Sequence, residues 1–157
     1  MKIGVTGHQQ REGIDWQWVR SHIDRYLAGK SIIVGYSSLA VGTDQIFADA
    51  VLDAAGKLIA VIPMEGYSSQ FEDEPLKNYE KLLEKAQIVD LQSKKSDEGA
   101  FLEAGKWIAR NVDRIIAVWD GEDAVGKGGT ADIVAYAISL GRQVYHIDPI
   151  KRTTADL

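Results

Sequence analysis

The sequence predicts an α/β fold, a single doubly wound and mainly parallel sheet of about six strands with helices on both faces. Short apolar runs alternate with amphipathic segments along the whole chain, which is typical of parallel strands joined by right-handed helical crossovers. Most of these runs are continuously apolar rather than alternating, as expected of strands that are buried on both faces.

Six strands and five helices are expected in alternation. The strands are residues 3–6, 32–35, 58–62, 88–91, 115–119 and 144–147. The helices are marked by apolar residues that share one face at helical spacing, within residues 16–27, 47–54, 76–86, 101–109 and 130–140. Pro75 is expected at the first position of the third helix, and Asp97 as the N-cap of the fourth. Gly56 and Gly141 are expected just after the second and fifth helices.

The composition indicates one globular domain, residues 1–157. A chain of this length with 45% hydrophobic and 26% charged residues is large enough to bury its own core. The net charge of −5 and the lack of a basic cluster argue against general nucleic-acid binding and against binding to anionic membranes. The chain has no cysteine, which excludes disulfide bonds and thiolate zinc sites.

The expected location follows from the start of the chain and its hydropathy. The segment Met1-Lys2-Ile3-Gly4-Val5 begins as a strand rather than as a signal peptide. No apolar stretch approaches the length of a membrane span. We therefore expect a cytoplasmic protein without membrane contact.

Ligands of doubly wound sheets bind at the C-terminal ends of the strands, near the point where the strand order reverses. This rule brings four loops together. The loops are residues 6–11, 35–44, 63–74 and 120–130. The third is longer than a turn requires and carries Met64, Tyr67 and Phe71. It is either a lid over a base or sugar or a packed connection.

The fourth loop contains Gly126-Lys127-Gly128-Gly129-Thr130 between an apolar strand and a helical pattern. Strand, glycine loop and helix in this order point several backbone N–H groups at one spot, which favours a phosphate. Alternatively, Gly128 and Gly129 only turn the chain and Thr130 caps the helix. A Walker A loop would require Ser or Thr after the lysine, where this chain has Gly128, so we do not expect a P-loop NTPase.

Further candidates for ligand binding lie in the first two loops and in the fourth. Gly7 and His8 end the first strand, and His8 is the only histidine well placed for a site. Ser37, Ser38 and Gly42 precede Asp44, which either bonds a ribose hydroxyl or favours the dipole of the second helix. Asp120 follows the strand 115–119. No metal-ligand spacing occurs, so we expect no protein-ligated metal centre. We also expect no required cofactor, with Mg²⁺ only as a companion of a bound phosphate.

With these loops in order, the chain resembles the SLOG superfamily, and most closely its small standalone YpsA-type branch. This Rossmann-like group includes Lonely Guy-type phosphoribohydrolases and Smf DNA-processing proteins. The resemblance covers nearly the whole chain and rests on five pieces. They are Gly4-Val5-Thr6-Gly7-His8, Gly35-Tyr36-Ser37-Ser38 with Gly42-Thr43-Asp44, Gly56 to Pro63, Arg110-Asn111, and Gly128-Gly129-Thr130. It implies a nucleotide-binding domain of Rossmann type.

The Lonely Guy enzymes use a P-G-G-x-G-T-x-x-E motif in which glutamate is catalytic. Thr130 matches the threonine, but the acid position is Ile133. Asp132 is adjacent, yet one residue along a helix turns a side chain by roughly 100°. Arg110 falls where that family keeps its catalytic arginine. The resemblance therefore implies phosphate binding and leaves the catalytic acid missing.

Two functions follow as hypotheses. The first is a module that binds a nucleotide or ribose-phosphate derivative for sensing or delivery. Gly128, Gly129 and Thr130 are expected on the phosphate, and Arg110 on a phosphate or carboxylate. Asp44 and Ser37 are the candidates for the ribose. The second is an enzyme that hydrolyses the N-glycosidic bond of nucleoside monophosphates with a relocated acid. The candidate acids are Asp44, Asp120, Asp132 and Glu103.

Self-association is the remaining expectation. Members of the superfamily commonly form dimers or larger assemblies, which implies a homo-oligomer here. Trp16, Trp18 and Trp107 are candidates for a subunit contact because aromatic residues are enriched at interfaces. Alternatively, Trp16 and Trp107 belong to the core and Trp18 is a lone surface residue.

Overall fold

The computed structural model describes residues 1–123 and 129–157, which form a seven-stranded sheet and five α-helices. The strands are β1 (Lys2–Gly7), β2 (Val34–Ser37), β3 (Lys57–Ile62), β4 (Gln87–Asp90), β5 (Arg114–Val118), β6 (Gln143–Asp148) and β7 (Thr153–Asp156). The helices are α1 (Trp16–Leu27), α2 (Thr43–Asp53), α3 (Asp73–Lys85), α4 (Asp97–Asn111) and α5 (Thr130–Ser139). A 3₁₀ turn, Tyr67–Gln70, lies between β3 and α3.

The order of the strands across the sheet is β4-β3-β2-β1-β5-β6-β7. All neighbours are parallel except β7, which runs antiparallel to β6. The chain first winds outward from β1 to β4, returns through α4 to β5 and then continues in the other direction. This arrangement confirms the predicted doubly wound α/β class, and it places the reversal of strand order between β1 and β5.

The inner strands β1, β2, β3, β5 and β6 are largely buried because helices cover both faces of the sheet there. Along β5, Ile116 and Val118 face an apolar cluster with α1 and α2, whereas Ile115 and Ala117 face α4 and α5. A third cluster joins β3 and α3 to the loop between them. Continuously apolar strand sequences are therefore required here, since successive side chains enter different layers.

Two strands differ from the sequence prediction. The strand β7 was not predicted because Thr153-Thr154-Ala155-Asp156 has no apolar pattern and is exposed along its length. The strand is held in the sheet by backbone pairing with β6, and the pattern of side chains in the sequence does not reveal such pairing. The prediction of strand structure from residue 32 is also wrong, because Ile32 has a φ of 53° and is 84% exposed, and β2 begins at Val34.

Three predicted helix ends are corrected by the structure, and one is confirmed. Ser96 rather than Asp97 is the N-cap of α4. The third helix begins at Asp73, so Pro75 is its third residue. After α2 the left-handed conformation falls on Ala55, with φ 59°, instead of on Gly56. Gly141 follows the C-cap of α5 with φ 74°, as predicted.

Tryptophan side chains pack against the two main clusters. Trp16 and Trp18 are partly buried against the α1–α2 cluster, and Trp107 lies against the α4–α5 cluster. The ring of Trp18 also lies 4.0 Å from that of His22. Self-association through these residues stays a prediction. Among the helices that the structure describes, none has both the length and the apolar character needed to cross a membrane.

Candidate functional site

A cavity of about 700 Å³ opens at the C-terminal ends of β1, β2, β3 and β5. Each of the four loops that the sequence predicted to meet contributes residues to its lining. The polar lining includes His8, Gln9, Gln10, Arg11, Ser38, Asp44, Gln70, Asp120, Glu122, Asp123 and Thr130. The cavity lies at the reversal of strand order, where doubly wound folds bind their ligands.

Close packing of backbone fixes the loop after β1. The His8 N–H donates to the Val118 carbonyl at 2.9 Å, and the His8 carbonyl accepts from the Thr43 hydroxyl at 2.9 Å. At Gly7, which lines the cavity, a Cβ would lie 2.6 Å from both Thr43 Oγ1 and the Val118 oxygen. Gly42 has φ 86°, and a Cβ there would collide with the Gln9 carbonyl. Both glycines therefore serve the construction of the cavity wall.

His8 enters the cavity as a neutral imidazole of defined tautomer. The Asp120 N–H donates to His8 Nε2 at 3.2 Å, so that nitrogen carries no proton and Nδ1 is the donor. Partial burial lowers the pKa of His8, although the nearby Asp120 carboxylate opposes the shift. The Asp120 carboxylate lies 3.3 Å from the Arg11 guanidinium. The geometry thus presents one neutral N–H donor beside an ion pair.

Asp44 places a carboxyl group in the cavity at the start of α2. Its Oδ2 accepts the Ala40 N–H at 3.3 Å. Burial raises the pKa of Asp44 to about 7, and hydrogen bonds from the Ala40 and Ser38 N–H groups only partly offset this effect. Near neutral pH this group therefore exists in both protonation states, either donating a hydrogen bond or accepting one.

Ser37 shapes the loop without reaching the cavity. Its hydroxyl donates to the Asp44 carbonyl at 3.1 Å and accepts from the Leu39 N–H at 3.0 Å. The side chain is fully buried. Ser38, by contrast, lines the cavity directly.

The N-terminus of α5 opens into the cavity. Gly129 is its N-cap residue and Thr130 its first helical residue, and both line the cavity. Among the residues that the structure describes, no side chain caps this end. The first N–H groups of a helix have no partner within the helix, so they are available to an anion. Gly128, the remaining residue of the predicted phosphate loop, lies outside the described residues.

Three other candidates from the sequence do not line the cavity. Arg110 is exposed at the end of α4 and donates to the Tyr136 hydroxyl at 3.2 Å. Asp132 points to solvent on α5. Glu103 accepts the Ser93 hydroxyl at 2.8 Å and pairs with Lys95 at 3.4 Å. Ile133 lines the cavity, so the position that corresponds to the glutamate of the Lonely Guy enzymes carries an apolar group there.

One face of α4 lines the cavity, whereas in the sequence the residues of this face serve only to predict the fourth helix. It presents Phe101, Gly105 and Ile108. A Cβ at Gly105 would lie 2.5 Å from Ile133 Cδ1, so the glycine permits close approach of α4 and α5. A glycine inside a helical pattern was the signal available in the sequence.

The loop between β3 and α3 is a packed connection that also walls the cavity. Tyr67 and Phe71 are both buried and line the cavity, and Phe71 stacks on Tyr79 with ring centroids 4.3 Å apart. The burial of both side chains is that of a packed connection, and contact of this loop with a base or sugar stays a prediction. Met64 is likewise buried in this cluster.

The absence of a protein-ligated metal centre stays a prediction. Within residues 1–123 and 129–157, no three acidic or histidine side chains lie close enough together to hold a metal ion.

No family model matches the sequence, and neither does any curated protein. Solved structures do match. DNA processing protein A from Streptococcus pneumoniae superposes with a TM-score of 0.65 at 21% identity, over 92% of this chain and 49% of that one. DNA processing protein A from Helicobacter pylori, which binds single-stranded DNA, gives 0.66 at 18% identity, over 93% of this chain and 64% of that one.

A third match is the molybdenum cofactor carrier protein of Chlamydomonas reinhardtii. It superposes with a TM-score of 0.53 at 17% identity, over 92% of this chain and 74% of that one. The chain spans about half the length of the Streptococcus protein. At such identities the likeness shows a shared fold. The chain therefore shares a Rossmann-like α/β fold with these proteins, in agreement with the fold that its resemblance to the SLOG superfamily implies.

Proposed function

We propose that this protein binds a nucleotide or another ribose-phosphate derivative in the cavity at its strand ends and serves to sense or carry it. The observation that carries the proposal is the meeting, in one cavity, of an uncapped helix N-terminus, a carboxyl group and aromatic side chains. These are the groups that suit a phosphate, a sugar and a base respectively.

The phosphate end of the site is formed by α5 and its neighbours. Gly129 and the Thr130 hydroxyl lie at the start of this ten-residue helix, whose N-terminal dipole favours an anion. Arg11 adds a permanent positive charge to the same cavity. Since Asp120 already pairs with Arg11, a phosphate there would share or displace that partner.

The size of the cavity and the fold comparison agree with this role. A volume of about 700 Å³ falls within the usual range for sites that bury a small ligand. The structural neighbour from Chlamydomonas is a carrier of a small-molecule cofactor. A carrier or sensor needs a formed pocket and no catalytic acid, which matches the apolar Ile133.

Asp44 favours one alternative, hydrolysis of the N-glycosidic bond of the bound nucleotide. A general acid or base works best with a pKa near the working pH, and Asp44 meets this condition with a pKa of about 7. Its position over β2 lies between the aromatic side chains and α5. The base would leave as water adds at the sugar carbon, so free base is the product to detect.

The test incubates the protein for about a day with AMP, GMP, CMP, UMP, ADP-ribose and NAD. Thermal shift then reports binding, and chromatography of the supernatant reports hydrolysis. A rise in melting temperature with intact ligand is expected, because a ligand that binds only the folded state stabilises it. Release of free base that is lost in Asp44→Asn supports the enzyme instead.

Gly129→Asp is the decisive variant. Its φ of −68° and ψ of 165° suit any residue, and Asp is a favourable N-cap, so the variant should fold. Its carboxylate occupies the anion position and should abolish binding, whereas Gly129→Ala should retain most of it. Unchanged affinity in folded Gly129→Asp would place the ligand elsewhere.

A further inference from the structure

We infer that the ligand lies across the strand ends in a single orientation, with its base at the aromatic end of the cavity beyond β3 and its phosphate at α5. In this orientation the Tyr67 hydroxyl forms a hydrogen bond with the base. The inference rests on the proposed function and adds to it the orientation of the ligand and a residue that determines specificity.

The positions of the strands in the sheet determine the positions of the loops that line the cavity. Across the sheet, β3, β2, β1 and β5 are successive neighbours. Since neighbouring strands lie about 4.8 Å apart, the loops after β3 and β5 are separated by roughly 14 Å. Pro63 to Phe71 follows β3, Ser38 to Asp44 follows β2, and Gly129 with Thr130 follows β5. An extended nucleoside monophosphate spans a comparable length.

The end beyond β3 is walled by aromatic rings. Tyr67 lies 5.2 Å from Phe71 and 6.2 Å from Phe101, measured between ring centroids. Phe101 is only partly buried and lines the cavity from α4. A planar base stacks well on such rings, and stacking tolerates any base.

The Tyr67 hydroxyl is a polar group held in this wall without a partner. The residue is only 5% exposed and yet lines the cavity. Within residues 1–123 and 129–157 the Tyr67 hydroxyl has no hydrogen-bond partner. In the same residues, every fully enclosed side-chain nitrogen or oxygen does have a partner. The hydroxyl oxygen is therefore not fully enclosed, and the cavity that Tyr67 lines is the space that it can reach. A buried hydroxyl without a protein partner is a ready donor and acceptor for a ligand.

Asp44 faces the same space from the neighbouring loop. Its charge is one of the causes that raise the pKa of Tyr67, after burial itself. Because β2 lies between β3 and β1, Asp44 lies on the phosphate side of Tyr67. In the proposed orientation Asp44 contacts the ribose and Tyr67 contacts the base.

The reverse orientation would place the base near Trp119, and this side chain is already engaged. Its Nε1 donates to the Glu122 carbonyl at 3.0 Å. Its ring packs against His146, with centroids 4.2 Å apart. Trp119 thus has no free polar atom for a base, whereas Tyr67 does.

The experiment crosses two variants with three kinds of ligand. The variants are Tyr67→Phe and Gly129→Asp. The ligands are the monophosphates AMP, GMP, CMP and UMP, the four corresponding nucleosides, and ribose 5-phosphate, each titrated by calorimetry. Tyr79→Phe is the matched control, because Tyr79 belongs to the same aromatic cluster but does not line the cavity.

Tyr67→Phe should weaken the best-bound monophosphate and its nucleoside about tenfold, the effect of one lost hydrogen bond, and leave ribose 5-phosphate unchanged. Gly129→Asp should abolish binding of both phosphorylated ligands and spare the nucleoside. Tyr67→Phe should melt no lower than the wild type, since the Tyr67 hydroxyl has no hydrogen-bond partner to lose among the described residues.

Three outcomes would overturn the orientation while the proposed function stands. They are equal loss of monophosphate and ribose 5-phosphate binding in Tyr67→Phe, no loss of either, and a loss in Tyr79→Phe as large as in Tyr67→Phe. Failure of every ligand to bind the wild type would instead overturn the proposed function, and the orientation with it.

Discussion

At the scale of single residues, backbone N–H groups set the chemistry of the cavity. The Asp120 N–H fixes the tautomer of His8, and the Ala40 and Ser38 N–H groups hold the carboxyl of Asp44. Because all of these donors are backbone groups, no residue type in the sequence identifies them. The identities of His8 and Asp44 are visible in the sequence, whereas their protonation states depend on how closely loops distant in sequence approach one another.

The raised pKa of Asp44 predicts a pH-dependent stability difference between the wild type and Asp44→Asn. The folded protein binds this proton up to about pH 7, and the unfolded chain only up to about pH 4. The wild type should therefore lose stability relative to Asp44→Asn as pH rises through that window, by between about 1 and 4 kcal/mol. Urea unfolding at pH 4 and pH 8 measures the difference. If the difference in free energy of unfolding between the two proteins stays constant with pH, the pKa of Asp44 is not raised by folding.

At the scale of elements, the cavity wall depends on how tightly the loop after β1 meets the start of α2. Gly42 combines φ 86° and ψ −122° with direct contact to the Gln9 backbone. This backbone region is almost closed to other residues. The glycine therefore allows the His8 carbonyl to accept from both the N–H and the hydroxyl of Thr43.

Gly42→Ala should consequently destabilise the fold by about 2 to 4 kcal/mol, because strain and collision act together. Gly66→Ala separates the two effects, since Gly66 has φ 74° but open space around its Cβ position. That variant should cost only about 1 kcal/mol. Chemical unfolding of both proteins gives the comparison. Equal losses would mean that the contact with Gln9 relaxes and only the dihedral angle matters.

Elements with a strong apolar pattern were predictable from the sequence, and elements held by backbone pairing were not. The strands β3 and β5 enter two helix-covered layers, so their apolar runs mark them. By contrast, β7 is a polar edge strand ordered by β6. The four site loops followed from the fold class. The lining by α4 did not, because Phe101 and Ile108 have the same helical spacing whether they face core or cavity.

At the scale of the whole molecule, strand topology determines where the cavity lies, and surface charge determines which ligands the protein attracts. The reversal of strand order beside β1 creates the cavity, and this feature accompanies the fold shared with the DNA processing proteins. The surface charge belongs to this chain, with 23 acidic against 18 basic residues. The cavity lining also includes Asp120, which pairs with Arg11, together with Glu122 and Asp123.

This charge predicts that the protein does not bind single-stranded DNA, although the Helicobacter neighbour does. Binding a DNA backbone requires clustered lysine and arginine that release its counterions, and the net charge of −5 opposes it. Fluorescence polarisation with labelled oligothymidine of about 20 nucleotides should show no binding at about 50 mM salt, where electrostatic attraction is strong. Binding that weakens steeply as salt is added would contradict the prediction and indicate that local charge outweighs net charge. A nucleotide that competes with such binding would further place the DNA in the cavity described above.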